Sequence, residues 1–464
     1  MTRPDHSFGF GGRRFVRISG AVPGTSLLQI PFAITSAILV ALAITLTIDG
    51  LESSGHIVYP GWLAVGNIDD ARAILGAMLG AVSTVLALIF SVTLLVFSMA
   101  VSQFGPRLMP YFLRERAMQV ALGLFLGAFL HILMTFIVAG QRGAVIFHPK
   151  LTVLTGVVLV FVCFCYLVVY NHRIAFTMQT NNMLARIVED LHSKIDELSQ
   201  LPGANARSTI DRPLTKRSSL PFHAEENIES LYRRCMTEGG TVTAVTSGYV
   251  QRIHHSQIIR IADRFDAFVR LSFRPGEFVM EGEELASVLP ASATNALETA
   301  IQHAVTVGQH RTLEEDVEFA FAQLSEIAIR ALSPAINDTY TSLSSIDYLG
   351  DALRMFAVLP VSDGLMLSSN GKARLLIPPL LFARAVRAAF DLIRQAAINN
   401  PAVCVRLLQT CGRLAAQLHD NEQRKAIREH VDAVYEVVKC MPDVGLDRHA
   451  LEQAYRLACD RLAV

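Results

Sequence analysis

Residues 73–101 read AILGAMLGAVSTVLALIFSVTLLVFSMAV, twenty-nine positions without an Asp, Glu, Lys or Arg. A helix crossing a hydrocarbon core of about 30 Å needs about 20 apolar residues. Twenty-nine residues make a rod of about 43 Å at ~1.5 Å per residue. The stretch predicts a membrane helix that tilts or projects beyond the lipid. Three further segments carry the same signal: Leu27–Ile48, Ala117–Ala139 and Leu151–Tyr170, each without formal charge. The expected fold class is an α-helical membrane protein with four spans, followed by a large α+β region.

Composition agrees with this reading. The 464 residues include 41 acidic and 41 basic side chains, are 52% hydrophobic and 18% charged, and have a mean hydropathy of +0.38. Charge is below the ~25% usual for soluble domains. Seven cysteines are too few, and odd in number, for a disulfide scaffold. The apolar content excludes a disordered chain. Zero net charge without a basic tract argues against a nucleic-acid partner.

The flanks predict sidedness. Arg3, Arg13, Arg14 and Arg17 precede the first span, and Arg107, Arg114 and Arg116 lie between the second and third. The first connection is acidic, with Asp49, Glu52, Asp69 and Asp70 against Arg72, and the last holds Arg142 and Lys150. Positive charge on the inner side puts both termini in the cytosol. The first span is too long for a signal sequence and is read as a retained anchor. Free cysteines beyond the spans (Cys235, Cys404, Cys411, Cys440, Cys459) fit a reducing compartment. The expected organisation is a cytosolic segment 1–26, a four-span domain 27–170, a helical stalk and linker 171–238, a small β-module 239–290 and a mostly helical domain 291–464.

Two spans carry stripes of small and hydroxyl residues. In the second, Gly76, Gly80 and Thr84 stand four apart, as do Ala87 and Ser91, and Ser98 and Ser102. In the third, Gly123, Gly127, His131 and Thr135 repeat the spacing. Such stripes let helices approach closely. The alternative for the second is a hydroxyl-lined path around an oligomer axis. His131 is either a neutral side chain bonded to a neighbouring helix or a proton-responsive gate. Between these spans Phe104, Gly105, Pro106 and Arg107 form an elbow, since glycine and proline break the helix. It reads as an interfacial turn, an anionic-lipid contact or a pore mouth.

The string SQFGPRLMPYFLRERAMQVALGLFLGAFL (Ser102–Leu130) resembles the bacterial predicted-membrane-protein family numbered 2254 among the domains of unknown function. SGYVQRI (Ser247–Ile253) with RPGEFVMEGEEL (Arg274–Leu285), and IAIRALSPAINDTYTSLSSIDYLG (Ile327–Gly350), extend the resemblance in the same order. It implies a multi-pass protein of the bacterial plasma (inner) membrane with no assigned chemistry, and it supplies no catalytic residues.

Beyond the spans, Asn171–Ser199 is expected to continue the fourth helix, and Ala204–Phe222 reads as a linker. Residues 239–290 alternate in the strand manner around a short helix, His254–Phe265. Their glycine turns resemble the half-motifs of the barrel-sandwich fold of biotinyl and lipoyl carriers. No lysine lies between Lys216 and Lys372, which excludes a swinging arm and leaves a packing or docking module. Arg311–Leu332 is a patterned helix with a Thr312/Glu315 capping box and an acidic start at Glu314, Glu315 and Asp316. Ser333, Asn337, Asp338 and Thr339 crowd the turn that follows, either as backbone caps or as a small-ligand site. Leu365–Leu367 with Ala373–Ile377 suggests a hairpin. Helices Phe382–Asn399, Pro401–His419, Glu422–Lys439 and Asp447–Leu462 complete an array whose arginines, from Arg384 to Arg428, read as solvated surface.

Phosphate loops, His-Glu-x-x-His and Gly-x-Ser-x-Gly motifs are absent, so neither catalysis nor a cofactor is expected. His254, His255, His303 and His310 lack metal-ligand spacing, and Cys404 with Cys411 reads as core. Two functions remain. One is a homo-oligomeric channel for ions or small solutes gated by the cytosolic region, because four spans are too thin to enclose a path alone. The other is a membrane-anchored scaffold or sensor whose cytosolic region binds a protein partner or ligand.

Overall fold

A computed structural model describes residues 28–54, 56, 68–106, 112, 115–142, 145–177, 179–199, 228–313, 315–359, 364–439 and 445–463. Arg3, Arg13, Arg14, Arg17, Arg107, Arg114, Glu314, Cys440 and the linker Ala204–Phe222 lie outside these residues. Helices α1 (Gln29–Ser53), α2 (Ile68–Phe104), α3 (Arg116–Val138) and α4 (Lys150–Thr177) are each long and apolar enough to cross a membrane. The chain forms two compact units, Met1–Leu86 with Leu113–Cys163, and Ala87–Phe112 with Phe164–Val464. α2 and α4 contribute to both.

In the first unit α1 packs on α3 where glycine allows it. A Cβ on Gly123 would meet the Pro31 Cα at 2.8 Å, and one on Gly127 the Ile38 Cδ1 at 2.5 Å. Thr35 donates to the Gly123 carbonyl at 3.2 Å, so close approach and a hydrogen bond lock the same contact. α1 runs past Ile48 and takes in Asp49 and Glu52. The short hairpin of β1 (Gly140–Arg142) and β2 (Val145–Phe147) joins α3 to α4.

The expected continuous helix from the fourth span to Ser199 is interrupted. α4 ends at Thr177, and α5 (Thr180–Ser199) begins anew. The Asn182 amide donates to the Phe176 carbonyl (2.8 Å) and to Gln179 Oε1 (3.1 Å). A side chain thereby satisfies a carbonyl that a further turn of helix would have used.

The second unit holds a helical core and a β-region. After α6 (Ile228–Glu238), the β-region comprises β3 (Gly240–Thr243), β4 (Gly248–Ile253), α7 (His255–Arg264), β5 (Phe268–Leu271), β6 (Phe278–Val279), β7 (Glu284–Leu289), α8 (Thr294–Ala304) and β8 (Val305–Gly308). A hairpin from farther along, β9 (Leu365–Leu367) and β10 (Ala373–Leu376), completes it. The sheets run β3-β7-β5-β10-β9 and β6-β4-β8. β10 pairs parallel to β5, which only a long crossover permits. Val242, Val250, Val269, Val288 and Leu375 share one buried core.

The helical core comprises α5, α9 (Val317–Ala331), α10 (Thr339–Val358), α11 (Phe382–Ala396), α12 (Pro401–Ala415), α13 (Asn421–Lys439) and α14 (Gly445–Ala463). The capping box expected at Thr312/Glu315 is replaced by Asp316, which accepts from the Phe319 amide at 2.9 Å. Glu315 instead accepts from the Ile253 amide. Burial pushes the Asp316 carboxyl up, against the pull of Arg311 2.7 Å away. α12 starts with an Asn400 cap and Pro401 in its first turn, a pairing suited to a helix start.

The arginines expected on solvated surface are mostly structural. Arg384 pairs with Glu277 (2.7 Å) and Glu318 (2.9 Å), joining the β-region to the helical core. Arg424 donates to the Ala415, Leu418, Arg461 and Leu462 carbonyls, tying the ends of α12 and α14. Five fixed guanidinium donors suit this work.

Candidate functional site

The two stripes of small residues have opposite fates. On α3, Gly123, Gly127, His131 and Thr135 are all buried. On α2, Gly76, Gly80, Thr84, Ala87, Ser91, Ser98 and Ser102 are all exposed. At 3.6 residues per turn these seven positions fall within a sector of about 80°. A Cβ on Gly80 would meet nothing within 4 Å, and one on Gly76 only Phe136 at 4.0 Å. Thr84 donates to the Gly80 carbonyl (2.9 Å) and Ser91 to the Ala87 carbonyl (3.0 Å). Bonding back to the preceding turn lets a hydroxyl face an apolar medium.

His131 is 2% exposed. Its Nε2 lies 3.2 Å from the Thr152 carbonyl, and its Nδ1 meets no partner among the described residues. The same Thr152 binds Asp49, whose carboxylate accepts from the Leu151 amide (3.0 Å), the Thr152 amide (3.0 Å) and the Thr152 hydroxyl (2.7 Å). Asp49 is 0% exposed. A carboxylate from α1 thus caps the start of α4, where unpaired amides and the helix dipole favour negative charge. Lys150 pairs with Glu52 at 2.8 Å beside it. Asp49 follows the charge-free stretch and reads in sequence as a loop acid. Its place about two helical turns after Leu42 is the signal that could have placed it on the inner face, since Leu42, Thr45 and Asp49 are all buried.

The elbow is buried at its centre. Phe104 closes α2, and Gly105 is buried at φ +98°. A Cβ there would meet Glu326 Oε1 at 2.6 Å and Arg330 Nε at 2.8 Å on α9. Only glycine adopts this backbone without strain. Pro106 is exposed, and Arg107 lies outside the described residues. On either side, Ala100 and Phe112 are buried in the helical core with Met183, Ile187, Phe321 and Leu324. The end of α2 is therefore core material of the second unit.

The polar turn is built as a cap. Asp338 accepts from the Thr341 amide at 3.1 Å, Thr339 accepts from the Asn400 amide at 3.1 Å, and the Ser333 carbonyl accepts from the Asn337 amide at 2.9 Å. Asn337 holds a positive φ of 50°, which asparagine tolerates. Tyr340 beside it is 83% exposed. Among the described residues no three His, Cys, Asp or Glu side chains form a metal site.

A family model described as predicted membrane protein (DUF2254) matches residues 24–413. The chain belongs to this family. Two similar relatives are an uncharacterized protein of Mycobacterium bovis and one of Mycobacterium tuberculosis, each 26% identical over 376 residues, covering 80% of this chain and 68% of the relative. No solved structure matches the chain. The match to the predicted-membrane-protein family takes in all four apolar helices, the β-region and the helical core through Arg413.

Proposed function

We propose that this protein is a homo-oligomeric channel for ions or small solutes, in which α2 packs around the oligomer axis and the second unit acts as the gate. The observation that supports this reading is the uncovered stripe of α2, set against the fully packed stripe of α3. A face of small residues and back-bonded hydroxyls suits close approach of helices or a polar path, and lipid tails gain nothing from it. Coupling has a physical basis too, because the end of α2 belongs to the helical core and moves with it. In this reading the bacterial inner membrane holds the protein with both termini in the cytosol, and no catalysis is involved.

The test is flux from liposomes containing the purified protein. Wild type conducts, Ser91→Leu conducts less at unchanged assembly, and a Ser91→Cys variant cross-links between copies on oxidation. Flux and oligomer unchanged by either substitution would remove α2 from the path. A second reading, a membrane-anchored scaffold, is favoured by the exposed Tyr340 next to Ile336 (39% exposed). The β-region, taken as a barrel-sandwich-like docking module, would serve it as well. A dimer without flux supports the scaffold; four or more copies support the channel.

A further inference from the structure

A cleft of about 140 Å³ opens between α11 and α13. Its floor is Val386 with three alanines, Ala383, Ala426 and Ala433, whose short side chains leave the space. Four groups with chemistry surround it: Arg387, Asp391, Glu429 and His430. Arg387 and Glu429 are exposed on opposite helices, and neither forms an ion pair among the described residues. The rim therefore carries Arg387 and Asp391 on one wall and Glu429 on the other.

His430 is 5% exposed and rests on the Phe390 ring. Its Nδ1 lies 3.5 Å from Asp391 Oδ1, so the carboxylate draws the ring proton to Nδ1. Nε2 is then an acceptor, and it is buried without a hydrogen-bond partner among the described residues. A buried acceptor with no donor is costly unless something supplies one. Asp391 is engaged by His430, lies 3.8 Å from Arg394 and also attracts Arg387, so the rim groups without a close ion-pair partner among the described residues are the Arg387 guanidinium and the Glu429 carboxylate.

We propose that this cleft binds a small zwitterion, an α-amino acid with a short side chain. Its carboxylate would lie on Arg387, which offers a fork of donors matched to two oxygens. Its ammonium would lie toward Glu429. A volume of about 140 Å³ holds about five groups of water size at ~30 Å³ each, which suits glycine or alanine and is too small to enclose a large side chain. A simple anion would face Glu429 and Asp391, and a simple cation would leave the Arg387 guanidinium unmatched, whereas the zwitterion engages both walls. The site is independent of whether the protein conducts.

The test is isothermal titration of the purified full-length protein in detergent with glycine, L-alanine, acetate, ethylammonium and L-tryptophan. Glycine and L-alanine are expected to bind saturably, one per chain, with acetate, ethylammonium and L-tryptophan weaker by at least about tenfold. Arg387→Gln and Glu429→Gln should each weaken glycine by about tenfold or more, and leave the melting temperature of the free protein unchanged because both side chains are exposed. Absence of saturable glycine or alanine heat overturns the proposal. So does acetate binding equal to glycine, or glycine binding that both substitutions leave intact. Flux is not read in this experiment, so its failure leaves the channel reading where it stands.

Discussion

Gly105 joins backbone strain and side-chain crowding at one position. Replacing it with alanine forces an L-residue to φ +98° and drives its Cβ into the Glu326–Arg330 pair. Left-handed strain of this kind costs about 1–3 kcal/mol, and the Gly105→Ala protein is expected to melt correspondingly lower in detergent. Asp49 acts at the same scale. Asp49→Ala removes the acceptor for two backbone amides and one hydroxyl at the start of α4. A lost cap of this type costs about 1–2 kcal/mol, read as a lower midpoint of unfolding; an unchanged midpoint would contradict the capping role. Asp391 adds a pH dependence. The hydrogen bond from His430, ahead of nearby arginines, holds its carboxyl below the usual carboxylate range. With a depressed folded value, its stabilisation is complete above the unfolded value of about 3.9 and fades as pH falls through the lower folded value. The melting gap between wild type and Asp391→Asn should therefore close as pH falls below about 4.

At the scale of elements, the same small-residue spacing yields a packed stripe on α3 and an open one on α2. Gly123→Leu should break the α1–α3 contact, because Pro31 and Ile34 sit where the side chain must go; overpacking of this kind costs about 1–3 kcal/mol. Gly80→Leu enters open space, so it should spare the melting temperature and, if the proposed oligomer forms through this face, change the assembly seen by gel filtration. The sequence makes the spacing of both stripes legible, along with the four apolar helices, the Asp338 cap and the Leu365–Leu376 hairpin. Which stripe is covered is not legible, since that depends on the neighbour of each helix and not on its own period. Asp49 is misread for the same reason: the amides it satisfies lie about a hundred residues away, at Leu151 and Thr152. The parallel β5–β10 pair escapes local patterning, and the buried His430 cleft is invisible in a helix whose arginines and acids read as surface.

For the whole molecule, the second unit cannot be cut off at Asn171 without loss. Phe97, Ala100 and Phe112 pack into its core, and a fragment beginning at Asn171 lacks all three. Truncating one buried Phe to Ala alone costs about 3–5 kcal/mol. Asn171–Val464 is expected to melt well below the full chain and to associate on gel filtration, and a monodisperse fragment with full-length stability would refute the shared core. That sharing has a mechanical consequence. α2 is helical without interruption from Ile68 to Phe104, and a helix of that length transmits torsion as a shaft does. In the proposed channel, a twist applied at its core-bound end would change the facing of Ser91. At 100° per residue, a turn of about 80° would exchange the small-residue sector for Leu88, Leu95 and Met99. In the proposed channel, one bearing of this rod would present hydroxyls and glycines, and the next leucine and methionine.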